Sequence, residues 1–132
     1  MAKDSKKKRK GNAGAEGEKY AICLEGVNKA YEYGVPALTD INLKIVPGEF
    51  VFIAGETGSG KSTLIKLLLR ELKADSGSIN VCGYDLMRIK RREVPKFRRN
   101  LGVVFQNFRL LKERNVYDNV AFAQRIIQKS ER

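Results

Sequence analysis

The stretch EFVFIAGETGSGKSTLIKLLLRELK, residues 49–73, carries the strongest fold signal of this chain. Residues 49–54 place apolar side chains on both faces of an extended chain. This is typical of a strand covered on two sides in a parallel sheet. Residues 61–73 carry leucine and isoleucine at helical spacing. A buried strand, a glycine-rich turn and a buried helix in this order predict an α/β fold.

The turn between the predicted strand and helix matches the phosphate-binding pattern G-x-x-x-x-G-K-[ST] at residues 55–62. Glycines let the backbone curl until successive N–H groups point inward at a phosphate chain, and the helix that follows adds its positive end. We therefore predict a P-loop NTPase whose nucleotide-binding residues are Gly55, Glu56, Thr57, Gly58, Ser59, Gly60, Lys61, Ser62 and Thr63.

Four side chains of this loop carry specific expectations. Lys61 would reach the β- and γ-phosphates as a point charge, which makes it a catalytic candidate. Ser62 offers a small hydroxyl to Mg²⁺, a cation that needs hard oxygen ligands. Thr63 would donate to an α-phosphate oxygen. Glu56 adds a negative charge to an anion-binding turn, at a small cost if its side chain points to solvent.

Composition excludes several classes of protein. With 132 residues, two cysteines and no histidine, the chain cannot form a disulfide framework, a histidine metal site or a histidine acid–base pair. We expect Cys23 and Cys82 to be buried and inert. No apolar run is long enough to cross a bilayer or to serve as a secretory leader, so the expected location is the cytoplasm.

The net charge of +11 lies in two clusters, residues 1–10 and residues 88–99. We predict a disordered basic tail at residues 1–18, since a Lys/Arg block is followed there by a stretch with no branched apolar or aromatic residue. A solvated leader is the simplest explanation of the tail, and attraction to an anionic membrane surface or to nucleic acid are alternatives. We expect no nucleic-acid partner, because the clusters hold no aromatic residue except Phe97 and no recognition helix.

The remaining segments alternate between strands and helices. Residues 20–45 show the alternation of half-buried antiparallel strands, and short strands are predicted at residues 78–82 and 101–105. A last helix is expected to begin near Asn115 as its cap. Its predicted inner stripe consists of Val116, Val120, Ala123 and Ile127.

Two further residues have ordinary explanations when taken alone. Tyr31 is one of several tyrosines near strand ends, and Gln106 is a polar residue that closes a strand.

Four segments taken together resemble the N-terminal half of an ABC-type ATP-binding domain. They are VNKAY (27–31), ALTDINLKIVPGEFVFIAGETGSGKSTLIKLLL (37–69), LGVVFQNF (101–108) and NVYDNVAFA (115–123). Residues 65–86 and 97–123 are similar in detail to the FtsE family of bacterial cell-division ATP-binding proteins.

The resemblance, which covers about residues 20–128, assigns roles to single residues. It implies that Tyr31 stacks on adenine and that residues 55–63 are the Walker A loop. It implies that Gln106 reaches towards Mg²⁺ and the attacking water, as a catalytic and metal-binding residue. Residues 107–114 would lie where such domains meet their membrane partner.

At the level of the whole protein, the resemblance implies an ABC-type ATPase with ATP and Mg²⁺ as cofactors. It would form a nucleotide-dependent homodimer and act with an FtsX-like integral membrane subunit in cell division, peripherally on the inner face of the membrane. The alternatives are a subunit of another ABC transporter, a non-catalytic nucleotide-binding module and a basic nucleic-acid-binding protein.

The sequence also departs from the family pattern. It contains no LSGGQ-like segment, no Walker B strand ending in Asp-Glu and no switch histidine, all of which lie downstream of residue 132 in that pattern. We therefore expect residues 19–132 to be a C-terminally truncated ABC nucleotide-binding domain with an antiparallel β subdomain. Such a chain should bind nucleotide without being a competent ATPase, and it should aggregate or order only partly in isolation.

Overall fold

The computed structural model describes residues 19–105 and 110–128 of the chain. The chain divides into two compact units, residues 1–97 and 98–132, and each is described by itself. The predicted disordered tail at residues 1–18 lies outside the described residues.

The first unit is built on a four-stranded antiparallel sheet in the order β2-β1-β3-β4. The strands are β1 (Ile22–Ala30), β2 (Pro36–Ile45), β3 (Ser76–Val81) and β4 (Tyr84–Asp85). The antiparallel prediction for residues 20–45 is thereby confirmed. The strand expected at residues 78–82 begins two residues earlier, at Ser76.

Leu24 lies at the centre of the sheet, opposite Leu43 on one side and Ile79 on the other. Its side chain is completely buried, as apolar residues at paired inward positions require. The largest fully buried side chains of the described residues are Phe97, Leu24, Leu67, Leu86, Val27 and Val81. The core of this unit therefore includes residues from the sheet, from the helix after the glycine-rich turn and from the segment that ends at Phe97.

Two α-helices accompany this sheet. α1 spans Lys61–Leu68 and buries Leu64 and Leu67, whereas α2 spans only Val94–Arg98. The helix predicted for residues 61–73 is therefore shorter than expected. It ends because Arg70 adopts a left-handed conformation with a φ of 57°, after which the Glu71 N–H returns to the Lys66 carbonyl at 2.8 Å.

The predicted strand at residues 49–54 is not formed. These residues have no regular secondary structure, and Phe50 and Phe52 are 91% and 83% exposed. The described residues contain no parallel strand pair, so this run has no ladder partner there. The strand expected at residues 101–105 is likewise absent, and Val104 is exposed. An apolar sequence predicts such a strand only where a neighbouring strand is present.

The two cysteines have different environments. Cys23 is buried in β1 as predicted, but Cys82 is exposed. Cys82 occupies the tight turn between β3 and β4 with a φ of 50°, outside the paired positions of either strand. The expectation that both cysteines are buried is therefore wrong for Cys82.

The second unit contains α3, Val116–Gln128. The Asp118 N–H donates to Asn115 Oδ1 at 2.7 Å, which confirms Asn115 as the predicted cap. Arg125 closes an ion pair with Asp118 at 3.0 Å. In residues 19–105 and 110–128, no helix is both long and apolar enough to cross a membrane.

The prediction that the inner stripe of α3 is buried is wrong for Val116 and Val120. Val116 and Val120 are 82% and 68% exposed, because no described element of this unit covers that face of the helix. The side chains of Ala123 and Ile127 lie outside the description. Helical periodicity places these apolar residues on one face of α3, but it does not establish that another element covers this face.

The side chain of Asp75, the residue immediately before β3, forms hydrogen bonds with the last two residues of β1. Its carboxylate accepts hydrogen bonds from the Ala30 N–H and from Lys29 Nζ, both at 2.7 Å. The backbone N–H of Ala30, and then the ammonium of Lys29, lower the pKa of Asp75 below its ordinary value of 3.8. Asp75 therefore fixes the backbone immediately before Tyr31.

These bonds predict a pH dependence of folding. A lowered folded-state pKa adds stability that is fully present above 3.8 and is lost as the pH falls through the folded value. We expect Asp75→Asn to abolish this part of the acid sensitivity, as measured by urea denaturation from neutral to acidic pH. Glu113→Gln, which changes an exposed carboxylate of the second unit, is the control. Parallel acid curves for Asp75→Asn and the parent chain would contradict the assignment.

Candidate nucleotide-binding site

The glycine-rich turn leads directly into α1. Gly60 stands before the first residue of the helix with a φ of 91°, and its carbonyl accepts the first helical bond from the Leu64 N–H at 2.9 Å. A side chain at Gly60 would meet the Ala37 carbonyl oxygen at 2.5 Å and Leu38 Cδ2 at 2.8 Å. The glycine is therefore required both for the left-handed turn and for the close approach of the loop to β2.

Lys61 folds back over the loop that precedes it. Its ammonium donates to the Gly55 carbonyl at 2.7 Å, to the Glu56 carbonyl at 2.6 Å and to Ser59 Oγ at 3.2 Å. An ammonium has three donors, and all three are directed at oxygen atoms of one turn. The positive charge is thereby held inside the curve of the loop.

This donor arrangement fits a polyphosphate. Phosphate oxygens accept stronger, charge-assisted bonds from an ammonium than neutral carbonyls do, so they can replace the loop oxygens around Lys61 Nζ. The first N–H groups of α1 have no acceptors within the helix and add a positive end beside the same loop. The residues present therefore suit a nucleotide that carries several phosphates.

The other loop residues lie at the surface. Glu56, Thr57, Gly58 and Ser62 are exposed, so the charge of Glu56 is open to solvent screening. Ser62 is the second residue of α1, next to Lys61, where its hydroxyl is accessible to a Mg²⁺ ion that keeps several of its waters. No group of three or more acidic, cysteine or histidine side chains suited to a metal occurs in the part of the chain described.

Tyr31 lies beside the same helix. Its hydroxyl is 3.0 Å from Thr63 Oγ1, and the backbone of Tyr31 is fixed by bonds to Val35 at 3.0 Å and to Gly34 at 3.2 Å. Thr63 is buried, whereas Tyr31 is 45% exposed. The structure thus brings together two predicted site residues that are 32 positions apart.

Two features of this region are not apparent from the sequence. Asp75 holds Ala30, next to Tyr31, and no local pattern pairs residues 45 positions apart. Ala37 supports the loop through backbone atoms, which any residue would supply. The Asp-Ser-Gly sequence at residues 75–77, whose composition favours a turn although Ser76 and Gly77 lie in β3, is the one signal that could have drawn attention to Asp75.

Gln106 lies outside the described residues, and its predicted role remains a prediction. The described part of the predicted docking segment, residues 110–114, is held by Asn119. The Asn119 side chain accepts from the Leu111 N–H at 2.8 Å and donates to the carbonyls of Leu111, Arg114 and Asn115 at 3.2, 3.1 and 3.0 Å. Sequence reasoning missed this residue, since a helical asparagine has no distinctive pattern.

The positive-φ glycine before α1, the lysine held by loop oxygens and the following hydroxyl residues match the features expected of a phosphate-binding P-loop. The ABC transporter family profile matches residues 38–132. The chain therefore belongs to the ABC transporter family.

The chain is similar to the cell division ATP-binding protein FtsE of two organisms. Identity is 44% over 111 residues with the protein of Streptococcus pneumoniae, covering 84% of this chain and 48% of the relative. With the protein of Mycobacterium tuberculosis it is 50% over 109 residues, covering 82% of this chain and 47% of the relative. The chain thus spans about half the length of the curated relatives it matches.

Solved structures support the same fold class. The chain is similar to cbiO1 of Clostridium perfringens, part of the ABC transporter complex cbiONQ, with a TM-score of 0.71 and 34% identity over 80% of this chain and 42% of that one. It is also similar to the dimeric ATP-binding cassette MJ0796 in a post-hydrolysis state with ADP and Pi. That TM-score is 0.69, with 35% identity over 75% of this chain and 44% of that one. The predicted α/β nucleotide-binding fold is confirmed.

Gly60→Ala tests the approach of the loop to β2. We expect it to lower the free energy of unfolding by about 1–3 kcal/mol more than Gly58→Ala does, because the added methyl group overlaps the backbone of Ala37. Gly58 is a matched control, with a φ of 87° and no atom within 4 Å of the added carbon. Chemical denaturation measures both variants, and equal losses would show that the close approach has no energetic consequence.

Proposed function

We propose that this chain is the nucleotide-binding part of an ABC-type ATP-binding subunit that acts in bacterial cell division. The observation that carries the proposal is the ammonium of Lys61, held by three oxygen acceptors inside the P-loop. Membership of the ABC transporter family supports ATP as the nucleotide. Similarity to FtsE proteins over 84% and 82% of this chain supports the role in division.

In the proposed site, each element of the loop binds one part of Mg-ATP. Lys61 moves its bonds from the loop carbonyls to the β- and γ-phosphates, and the backbone N–H groups of residues 55–63 surround the phosphate chain. Ser62 would supply one oxygen ligand to Mg²⁺, and the cation would neutralise phosphate charge. Tyr31 would offer its exposed ring to adenine, and Gln106 would be a further ligand of the metal.

Assembly and location follow from the same proposal. Residues 19–132 act as part of a nucleotide-binding domain that pairs with a second copy in the presence of nucleotide, supported by the dimeric state of the MJ0796 cassette. The partner is an FtsX-like integral membrane subunit, met through residues 107–114 on the cytoplasmic face of the membrane. The basic residues 1–10, with a net charge of +5, favour an anionic membrane surface.

We further infer that these 132 residues bind ATP without turning it over. Phosphoryl transfer needs a group that orients the attacking water as well as charge stabilisation on every side. The sequence contains no histidine and no apolar strand that ends in Asp-Glu, the residues that would supply such a group in the family pattern. Measurable ATP turnover that Lys61→Ala abolishes would contradict this inference.

The Mg²⁺ dependence of ATP binding tests the proposed function. We expect calorimetric titration of the full chain to give tighter binding with Mg²⁺ than without it. Ser62→Ala should remove about tenfold of that gain, because one charge-assisted oxygen ligand is lost. Ser78→Ala, at an exposed serine of β3, is the control and should retain the whole gain. Binding that is independent of both Mg²⁺ and Ser62 would contradict the proposal.

A further inference from the structure

Tyr31 and Thr63 contact each other through their hydroxyl groups, 3.0 Å apart. We propose that Thr63 is a positioning residue for base recognition, whose hydroxyl holds the Tyr31 ring as a platform for the base of the nucleotide. This inference rests on the proposed function. It adds this role to the bond with an α-phosphate oxygen that the sequence pattern predicts, because a hydroxyl can accept from Tyr31 and donate to phosphate at the same time.

Thr63 is buried and Tyr31 is partly exposed, and a platform for a base requires this combination of a fixed anchor and an accessible ring. Thr63 is 6% exposed and belongs to the first turn of α1, so its Oγ1 is a fixed anchor within the helix that follows the P-loop. Tyr31 is 45% exposed, which leaves a large part of its ring open to solvent. An aromatic ring with one anchored end and an accessible face is suited to stacking on a planar base.

The backbone of Tyr31 is fixed independently of its side chain. Its N–H donates to the Val35 carbonyl at 3.0 Å, and its carbonyl accepts from the Gly34 N–H at 3.2 Å. The preceding Ala30 N–H donates to Asp75 at 2.7 Å. Because the main chain is held on both sides, the freedom that remains is rotation of the ring, and the bond to Thr63 removes it before a ligand binds.

A hydroxyl that positions the ring has a different signature from one that binds phosphate. Loss of a positioning hydroxyl weakens binding of ligands that carry a base and spares ligands that consist of phosphate alone. Loss of a phosphate donor weakens both kinds of ligand equally. The ratio of the affinities for Mg-ATP and Mg-tripolyphosphate therefore separates the two roles.

The test is calorimetric titration of the full chain with Mg-ATP and with Mg-tripolyphosphate. We expect Thr63→Val, which keeps the volume of the buried side chain, to lower this affinity ratio about 2- to 12-fold, the range for one hydrogen bond. Tyr31→Phe removes the other hydroxyl at an exposed site and should lower the ratio equally. The double variant should lower it no further.

Two variants complete the design. Thr63→Ser retains a hydroxyl and should restore the parent ratio. Thr39→Val makes the same chemical change at an exposed position of β2 and should leave the ratio at its parent value. Tyr31→Phe is informative even if Thr63→Val fails to fold, because it removes one hydroxyl and keeps the ring of a half-exposed residue.

Each contrary result has a distinct meaning. Equal losses for both ligands in Thr63→Val, or additive losses in the double variant, would overturn the positioning role. An unchanged ratio in both single variants would do so too, while ATP binding that depends on Lys61 would leave the proposed function standing. Absence of binding by either ligand to the folded parent chain would overturn the proposed function and this inference together.

Discussion

Lys61→Ala is expected to weaken Mg-ATP binding by about 100-fold or more. The ammonium makes three bonds to oxygen inside the loop, and in the complex those donors would serve phosphate oxygens. A hydrogen bond to a charged group contributes about 1.5–3 kcal/mol, and 100-fold corresponds to about 2.7 kcal/mol, so the loss of two such bonds is sufficient. Calorimetric titration of the full chain measures the change.

Lys66→Ala is the matched control for this variant. Lys66 is an exposed lysine of the same helix, so its removal changes the net charge equally without touching the loop. Its effect on affinity should be under about threefold and should disappear at high salt. Lys61→Arg should bind weakly as well, because a planar guanidinium cannot occupy the compact position of an ammonium. Similar losses for Lys61→Ala and Lys66→Ala would reduce the role of Lys61 to general charge attraction.

Phe97→Ala is expected to lower the free energy of unfolding of the first unit by about 3–5 kcal/mol. The side chain is completely buried, and its ring lies 5.4 Å from that of Tyr84 at an angle of 57°. Truncation removes this contact and leaves a cavity among packed side chains. Chemical denaturation monitored by tyrosine fluorescence measures the loss.

Phe50→Ala makes the same substitution where the structure places the ring in solvent. Phe50 is 91% exposed, so its truncation should change stability by under about 0.5 kcal/mol. The sequence pattern predicts the opposite, since a strand covered on both faces would bury Phe50 as fully as Phe97. Equal losses for the two variants would contradict the described environment of residues 49–54.

The parts of the fold that sequence predicts correctly depend on local chemistry. The turn before α1 requires glycine at Gly60, and alternation along β1 and β2 indicates which residues lie on the same face of each strand. Asn115 caps α3 through a bond that spans three residues. Each of these features is determined within a few positions, so a single sequence is sufficient to find it.

The parts that it misses depend on partners distant in the chain. Residues 49–54 read as a central strand, but strand formation needs a neighbour that the described residues do not provide. Burial of the α3 stripe likewise depends on a covering element. In the site, the pattern predicts Lys61 and Ser62 directly, whereas the bonds Tyr31–Thr63 and Ala30–Asp75 arise only after the sheet and helix have packed.

We propose that the P-loop surrounds the phosphates of a nucleotide. Amide resonances of the isotope-labelled full chain, followed by NMR as Mg-ATP is added, provide a direct test of this claim. We expect the largest shifts at residues 55–63, and we expect Mg-tripolyphosphate to reproduce them. Shifts that avoid this loop while Mg-ATP saturates the protein would contradict the claim.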